Sequence, residues 1–228
     1  MHFEEHMNRL TSSAPVIGLE MQLEYNQVYE YCNELILSNG VNDCGIRITY
    51  SKGTQGNSLI ITSRENPYTV EMMDNGFSLM TSNIMRNETS PIVGIKSNNY
   101  LDNLLSLNDA KERGFNEALF YNSKAYLAEG TMSNIFFVKN DKILTPAVKN
   151  GLLSGIMRDK VIHLAKDLGM LIEEGCYKKN ELFSADEIFV TNSLMDIMPV
   201  KLLDSKEFKI KDDSITRYLI EKYRNYNY

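Results

Sequence analysis

The segment LLSGIMR, residues 152–158, has the residue types of a phosphate-binding helix start. The first turn of a helix leaves backbone N–H groups without helical acceptors, and the helix dipole favours an anion there. Gly155 would let the backbone approach closely, so that the amides of Ile156 and Met157 point at the anion. Most Ser-Gly helix starts bind no anion, so other residues must support this interpretation.

Lys96 is a candidate for an amine nucleophile. A lysine in a chain with 24 Lys and Arg residues is usually a solvated surface charge. Lys96, however, follows the apolar run PIVGI and precedes a predicted helix. Burial in such a place would lower the pKa of its amine, so that more of the amine is uncharged and reactive.

Three other charged residues have a structural explanation beside a functional one. Glu129 alone would be a carboxylate at the end of a strand. Arg9 lies four residues after Glu5, the spacing of a surface ion pair on a helix. Arg47 lies on a β-rich run, where the alternation of side chains directs it either to a site or to solvent.

The elements around these residues follow from hydrophobic periodicity and from glycine stops. The helical spacing of apolar residues predicts helices over residues 24–39, 100–113, 155–168 and 179–184. A glycine follows each of the first three. Runs rich in β-branched and aromatic residues predict strands over residues 45–50, 58–62, 117–122, 135–139, 142–144 and 187–191, and one that begins at Pro199. The first two strands form a hairpin around KGTQGN.

This order of elements predicts a mixed α/β or α+β fold. The segment RENPY, residues 64–68, combines charge, Asn and Pro, and is the best position for a crossing between domains. We therefore expect a small domain over residues 1–66 and a larger one over residues 67–228.

Composition excludes several classes of function. The chain has 228 residues, a net charge of -6 and a pI near 5.2, so no overall positive field favours nucleic acid or an anionic membrane. The three cysteines have neither a disulfide nor a zinc spacing and are expected to be buried free thiols. No signal core or membrane-spanning apolar run occurs, so we expect a soluble cytoplasmic protein that binds a small molecule.

Five segments, in colinear order, resemble the fold-type IV pyridoxal-phosphate (PLP) enzymes, the class IV aminotransferase family. They are EEHMNRL, GIKSNNYLDNLL, LAEGTMSNIFFV, LLSGIMRD and ADEIFVTNSLMDIMPV. The resemblance implies that Lys96 binds the cofactor covalently and that Glu129 pairs with its pyridine nitrogen. It also implies a phosphate site made of Arg9, Ile156, Met157, Asn192 and Ser193.

Three activities share these segments in the family: branched-chain aminotransferase, D-amino acid aminotransferase and 4-amino-4-deoxychorismate lyase. SGIMR and NSLMDIMPV are more similar to the lyases, whereas the aminotransferases more often have threonine where Met157 stands. The branched-chain enzymes also usually read Gly-Glu-Asn where this chain has Met132-Ser133-Asn134. The resemblance thus favours the lyase, which releases 4-aminobenzoate and pyruvate in folate biosynthesis.

The D-amino acid enzymes hold the substrate carboxylate with an arginine and a nearby histidine after a strand resembling GIRITYSKG. Lys52 stands in place of that arginine here, and no histidine follows in GTQGNSL. Arg47 and Lys52 remain the candidates for substrate binding.

The family resemblance also implies a homodimer with PLP as cofactor. Family members carry further residues before the point where the match begins, near Phe3. We therefore expect a small domain that is truncated relative to the family. A catalytically impaired protein that keeps the fold is the remaining alternative.

Overall fold

The computed structural model describes residues 2–40, 43–54 and 56–225. Contacts divide the chain into two compact units, Met1–Thr69 and Val70–Tyr228. This division follows directly after the segment at residues 64–68 in which the sequence predicts a crossing. In the described residues no helix is long and apolar enough to cross a bilayer.

The first unit contains two helices and a hairpin. The sequence predicts its second helix and both strands of the hairpin correctly. Its elements are α1 (Phe3–Ser13), a 3₁₀ turn (Ala14–Ile17), α2 (Tyr25–Asn39), β1 (Cys44–Gly53) and β2 (Gly56–Glu65). Gly40 ends α2 in the left-handed region at φ 61°, where glycine has no Cβ to clash. The core of the unit is apolar and comprises Met7, Val28 and Cys32, with Ile46, Ile48, Leu59 and Ile61 packed against them.

The second unit is built on a large mixed sheet. Its strands are β3 (Phe77–Thr81), β4 (Glu117–Tyr121), β5 (Leu127–Gly130), β6 (Asn134–Lys139), β7 (Lys142–Pro146), β8 (Ile172–Gly175), β9 (Glu187–Asn192), β10 (Asp196–Leu203) and β11 (Lys206–Glu207). Its helices are α3 (Val70–Asn75), α4 (Leu101–Glu112), α5 (Ile156–Asp167), α6 (Lys179–Phe183) and α7 (Ile215–Asn225). The prediction of a mixed α/β fold is confirmed.

The strand order of this sheet is β5-β4-β3-β10-β9-β6-β7-β8, with β11 paired to β10. Strand β3 runs parallel to β4 and β10, whereas β9 runs antiparallel to β6 and β10. Phe136 and Phe189 are register partners on β6 and β9, and their rings stack with centroids 4.9 Å apart. Residues of α5 and α7 pack on this pair, so one face of the sheet forms the main core of the unit.

The structure corrects some predictions. Strand β10 begins at Asp196, before the predicted start at Pro199, because it forms a hairpin with β9 in which Asp196 pairs with Asn192. Strands β3, β8 and β11 and helices α3 and α7 were not predicted at all. Cys32 is buried as expected, but Cys44 and Cys176 are only partly buried. All three thiols are free.

Candidate active site

Glu129 is a buried carboxylate on β5 in the second unit. Every residue of its strand, β5, is buried, and Glu129 is 8% exposed. Its Oε1 lies 3.1 Å from Nη2 of Arg86 in an ion pair. Its Oε2 accepts a hydrogen bond of 3.0 Å from the backbone amide of Leu153. One carboxylate oxygen therefore faces a cation and the other accepts a hydrogen bond, from different parts of the unit.

The ionisation of Glu129 is poised by opposing effects. Burial raises the pKa of Glu129 to about 7, although Arg86, the Leu153 amide and the charge of Lys96 lower it. The nearby carboxylate of Glu117 raises the pKa further. A cationic ligand group beside Glu129 would shift the balance towards the carboxylate form, because opposite charges stabilise each other strongly when water is excluded.

Arg86 is the main residue that the sequence prediction missed. Its guanidinium lies over the ring of Phe120, 4.0 Å from the centroid, and its Nη1 donates to Oδ1 of Asn103 at 3.1 Å. Its backbone amide donates to Tyr121 O, which fixes the loop after β3. Arg86 lies in the loop segment NIMRNETS, and no periodicity there indicates that its side chain turns inward.

Lys96 lies in an irregular segment that leads into α4 and is exposed, which contradicts the predicted burial. The preceding residues PIVGI form turns instead of a strand, and their isoleucines and valine are only partly buried. Its Nζ lies 5.3 Å from the centroid of the Tyr100 ring. It is also close enough to Glu129 for its charge to lower the pKa of that carboxyl. The amine thus lies on the Glu129 side of the unit.

Helix α5 begins at Ile156, one residue after Gly155, as predicted. A Cβ on Gly155 would collide with Oδ1 of Asn134, so glycine is needed here for close packing. Within the described residues, the amides of Ile156 and Met157 have no hydrogen-bond acceptor. The side chain of Met157 is buried in the core, and the Tyr223 hydroxyl donates to its Sδ at 3.0 Å. Only the amide of Met157 can therefore face a ligand.

Asn192 shapes the turn between β9 and β10. Its Oδ1 accepts hydrogen bonds of 2.9 Å from the amides of Leu194 and Met195, and its Nδ2 donates to Met132 O at 3.3 Å. Ser193 lies inside this turn and is exposed. The structure thus gives Asn192 a role in the turn, with Ser193 as its exposed polar residue.

Arg9, Arg47 and Lys52 lie in the first unit. Arg9 is on α1, with its Nη2 3.4 Å from Nδ1 of His6. Arg47 and Lys52 are both exposed on β1, an odd number of residues apart. Side chains alternate along a strand, so these two residues lie on opposite faces of the hairpin. One small carboxylate is therefore not expected to contact both.

The comparisons with known proteins assign the family. The sequence model of the family described as "Amino-transferase class IV" matches residues 1–203. The chain belongs to the class IV aminotransferase family. The family predicted from the five segments is thereby confirmed.

Relatives within the class IV family carry different names. The branched-chain-amino-acid aminotransferase of Escherichia coli (strain K12) is 29% identical over 214 residues, which cover 88% of this chain and 69% of that protein. The aminodeoxychorismate lyase of Bacillus subtilis (strain 168) is 25% identical, over 94% of this chain and 76% of its own. A crystal structure of the T.th. branched-chain amino acid aminotransferase with pyridoxamine 5′-phosphate is similar, with a TM-score of 0.88 and 28% identity. It matches 98% of this chain and 77% of that structure.

In this class IV chain the second unit brings four of the predicted positions together. The charge of Lys96 lowers the pKa of Glu129. Glu129 accepts a hydrogen bond from the amide of Leu153, three residues before Ile156. Asn192 is bonded to the carbonyl of Met132, in the turn that follows β5. The buried carboxylate is therefore joined by a hydrogen bond to the loop that precedes α5, and the amine of Lys96 lies near enough to affect its pKa.

Proposed function

We propose that this chain is a PLP-dependent 4-amino-4-deoxychorismate lyase. Pyridoxal 5′-phosphate is the cofactor of this family member, in keeping with the pyridoxamine 5′-phosphate in the crystal structure of the T.th. aminotransferase. The observation that carries the proposal is the buried carboxylate of Glu129, fixed between Arg86 and the Leu153 amide. A pyridine nitrogen beside it would be held in its protonated form.

The described residues fit the parts of this cofactor. Glu129 suits the ring nitrogen, because a buried carboxylate with a pKa near 7 gains from a neighbouring cation. The unpaired amides of Ile156 and Met157, with Ser193, suit the phosphate. The exposed amine of Lys96 suits the aldehyde carbon of the cofactor, which an amine can attack. Arg9 is proposed as a further phosphate ligand on the strength of the sequence resemblance alone.

The cofactor, when bound, supplies an electron-withdrawing ring that stabilises negative charge developing on the substrate. Nζ of Lys96 accepts the proton from the substrate carbon that bears the amino group. Oε1 or Oε2 of Glu129 holds the proton at the ring nitrogen, and Arg86 keeps Glu129 ionised while it does so. The bond between the ring carbon and the enolpyruvyl oxygen then breaks, and enolpyruvate leaves with the electron pair. Enolpyruvate takes up the proton held by Lys96 and becomes pyruvate, and the ring that remains is the aromatic 4-aminobenzoate. Arg47 is the proposed contact for a substrate carboxylate.

Two sequence features support the lyase over the transferases. The helix start reads SGIMR, and Met157 is packed in the core instead of offering a hydroxyl to the ligand. The loop NSLMDIMPV is also more similar to the lyases. Amino-group transfer is the second candidate, because the Escherichia coli relative is a branched-chain aminotransferase with higher identity. D-amino acid transfer has less support, since Lys52 replaces the expected arginine.

An assay with two substrates distinguishes these candidates. The PLP-loaded protein is incubated with 4-amino-4-deoxychorismate, and 4-aminobenzoate and pyruvate are quantified. In parallel it is incubated with L-leucine or D-alanine and 2-oxoglutarate, and glutamate is quantified. The proposal predicts equimolar 4-aminobenzoate and pyruvate. Glutamate formation without 4-aminobenzoate would establish a transferase, and PLP binding without either product would indicate an impaired family member.

We also propose a homodimer. Helix α4 exposes Leu101, Leu104 and Leu105, three large apolar side chains on one helix, which is unusual for a surface in contact with water. Light scattering on the purified protein measures its mass, and a monomeric mass would contradict this part of the proposal.

A further inference from the structure

Glu117 is a second buried carboxylate near the proposed site. It is the first residue of β4 and is 3% exposed. Its Oε1 accepts hydrogen bonds from the Met132 amide at 2.5 Å and from the Thr131 hydroxyl at 3.2 Å. Its Oε2 accepts one from the Ser133 hydroxyl at 2.9 Å. Among the described ion pairs, none involves Glu117.

A carboxylate buried without a cation costs stability. Burial raises the pKa of Glu117, whereas four hydrogen-bond donors in residues 131–133, the amides of Met132 and Ser133 and the hydroxyls of Thr131 and Ser133, lower it. Gly130 makes room for the carboxylate, because a Cβ there would lie 2.6 Å from Glu117 Oε1. An apolar side chain would fill this space at lower cost, so the carboxylate is expected to have a specific role.

The three residues that bind Glu117 form the turn between β5 and β6. The carbonyl of Thr131 in this turn accepts two short hydrogen bonds, from the Tyr100 hydroxyl at 2.5 Å and from Nδ2 of Asn103 at 2.6 Å. Tyr100 is the ring beside the amine of Lys96. The position of the Thr131 carbonyl thus decides where that ring is held.

The Thr131 carbonyl is also connected to Glu129, through Asn103 and Arg86. Asn103 accepts a hydrogen bond from Arg86 through its other amide atom, Oδ1, and Arg86 forms the ion pair with Glu129. The amide of Asn103 can accept from Arg86 only while its Nδ2 points at Thr131. A shift of the turn would therefore loosen Tyr100 and the Arg86 pair together.

We infer that Glu117 is a positioning residue, which clamps the turn at residues 131–133 so that the Thr131 carbonyl fixes Tyr100 and Asn103 in the active site. The inference rests on the proposed function, because it takes Lys96 and Glu129 as the residues that bind the cofactor. The hydrogen bonds that Glu117 accepts come from residues 131–133, so we assign it no direct contact with cofactor or substrate.

A double-mutant cycle tests this inference with Glu117→Gln and Tyr100→Phe. Gln has the shape of Glu but offers one acceptor oxygen in place of two, so the clamp is weakened without a cavity. We expect Glu117→Gln to weaken PLP affinity about tenfold, because hydrogen bonds that hold the turn at residues 131–133 are lost. The chromophore of the bound cofactor should titrate at a different pH, read as absorbance against pH.

The combination of the two variants separates positioning from general stability. If Glu117 acts through Thr131 on Tyr100, the Glu117→Gln change should alter PLP affinity by less than about threefold in the Tyr100→Phe background. Fully multiplicative effects would overturn the inference, as would a Glu117→Gln protein with the affinity and titration of the wild type. Glu112→Gln, at an exposed position on α4, is the matched control.

Should Glu117→Gln fail to fold, Ser133→Ala removes one donor to the same carboxylate and should give a smaller shift of the same direction. An unchanged Ser133→Ala titration would then overturn the inference. Failure of the proposed function has a different signature in the wild-type protein, which would then either bind no PLP or bind it without forming 4-aminobenzoate and pyruvate. A wild type that binds PLP normally, combined with silent variants, refutes only the role of Glu117.

Discussion

The Leu153 amide donates a hydrogen bond of 3.0 Å to the carboxylate of Glu129. The carbonyl of the same residue accepts a hydrogen bond of 2.8 Å from Nδ2 of Asn134, on the strand next along the chain. Leu153, in the loop that precedes α5, is therefore hydrogen-bonded to residues of both β5 and β6. This links the residue proposed for the ring nitrogen to the amides proposed for the phosphate, at a fixed separation.

The ion pair of Arg86 and Glu129 predicts a large effect on stability. Both side chains are 11% exposed, and removal of Arg86 forces Glu129 either to stay charged without a partner in the interior or to take up a proton. We expect Arg86→Met to lower the free energy of unfolding of the cofactor-free protein by about 3 kcal/mol. Arg113→Met, which breaks the exposed pair with Asp109, should cost less than about 1 kcal/mol. Urea denaturation measures both, and equal costs would contradict the proposed difference.

Glu129→Gln should leave PLP bound but slow turnover. A neutral amide cannot hold the proton at the ring nitrogen, whereas the phosphate contacts provide most of the affinity. We expect a loss of about two to four orders of magnitude in kcat with a small change in the Kd for PLP. Steady-state kinetics of the fully loaded variant check this. Wild-type turnover in that variant would show that Glu129 is not the partner of the ring.

The raised pKa of Glu129 predicts a pH dependence of stability. Its pKa rises from 4.5 to about 7 on folding, so the neutral carboxyl contributes its full amount to the free energy of unfolding below pH 4.5. Between pH 4.5 and 7 the folded protein binds more protons than the unfolded chain, and the contribution is lost as the pH rises. Above pH 7 the contribution of Glu129 no longer changes.

The cofactor-free Glu129→Gln protein should therefore lose less stability than the wild type between pH 4.5 and 7. Urea denaturation at several pH values gives both curves, with exposed Glu112→Gln as the control. Glu117, whose pKa is also raised, is present in all three proteins, and Glu129→Gln removes only the charge that Glu129 places near it. Parallel curves for wild type and Glu129→Gln would show that the carboxyl titrates normally.

Gly155→Ala should weaken the binding of PLP. The new methyl group would collide with Oδ1 of Asn134 and push that side chain away from the Leu153 carbonyl. The start of α5 would then shift relative to Glu129, which increases the Kd for PLP. Ser154→Ala, one residue earlier, adds no atom and is the matched control. Fluorescence titration with PLP measures both, and equal affinities would contradict the proposed role of this helix start.

The regular elements could be predicted from the sequence because local rules determine them. Helices α2, α4 and α5 follow from apolar periodicity, with glycines at 40, 114 and 169 near their ends. The opposite faces of Arg47 and Lys52 also follow from their odd separation on one strand. Local rules thus predict the elements and the face of an element on which a side chain lies.

The contacts within the site could not be predicted in this way. Arg86 meets Glu129 across more than forty residues of sequence, and the Thr131 turn meets Glu117 on another strand. Such pairs depend on the strand order of the sheet, which single-sequence patterns do not determine. The exposure of Lys96 was mispredicted for a related reason, since an apolar run next to a lysine does not show whether that run forms a strand or a set of turns.

The most direct test of the proposed function is the identity of the lysine that holds the cofactor. The PLP-loaded protein is reduced with borohydride, digested, and the labelled peptide is identified by mass spectrometry. We expect the label on Lys96, and we expect Lys96→Ala to lose the near-visible absorbance that Lys111→Ala, an exposed lysine on α4, retains. A label on Lys52 or on any other lysine, or an unchanged spectrum in Lys96→Ala, would contradict the account.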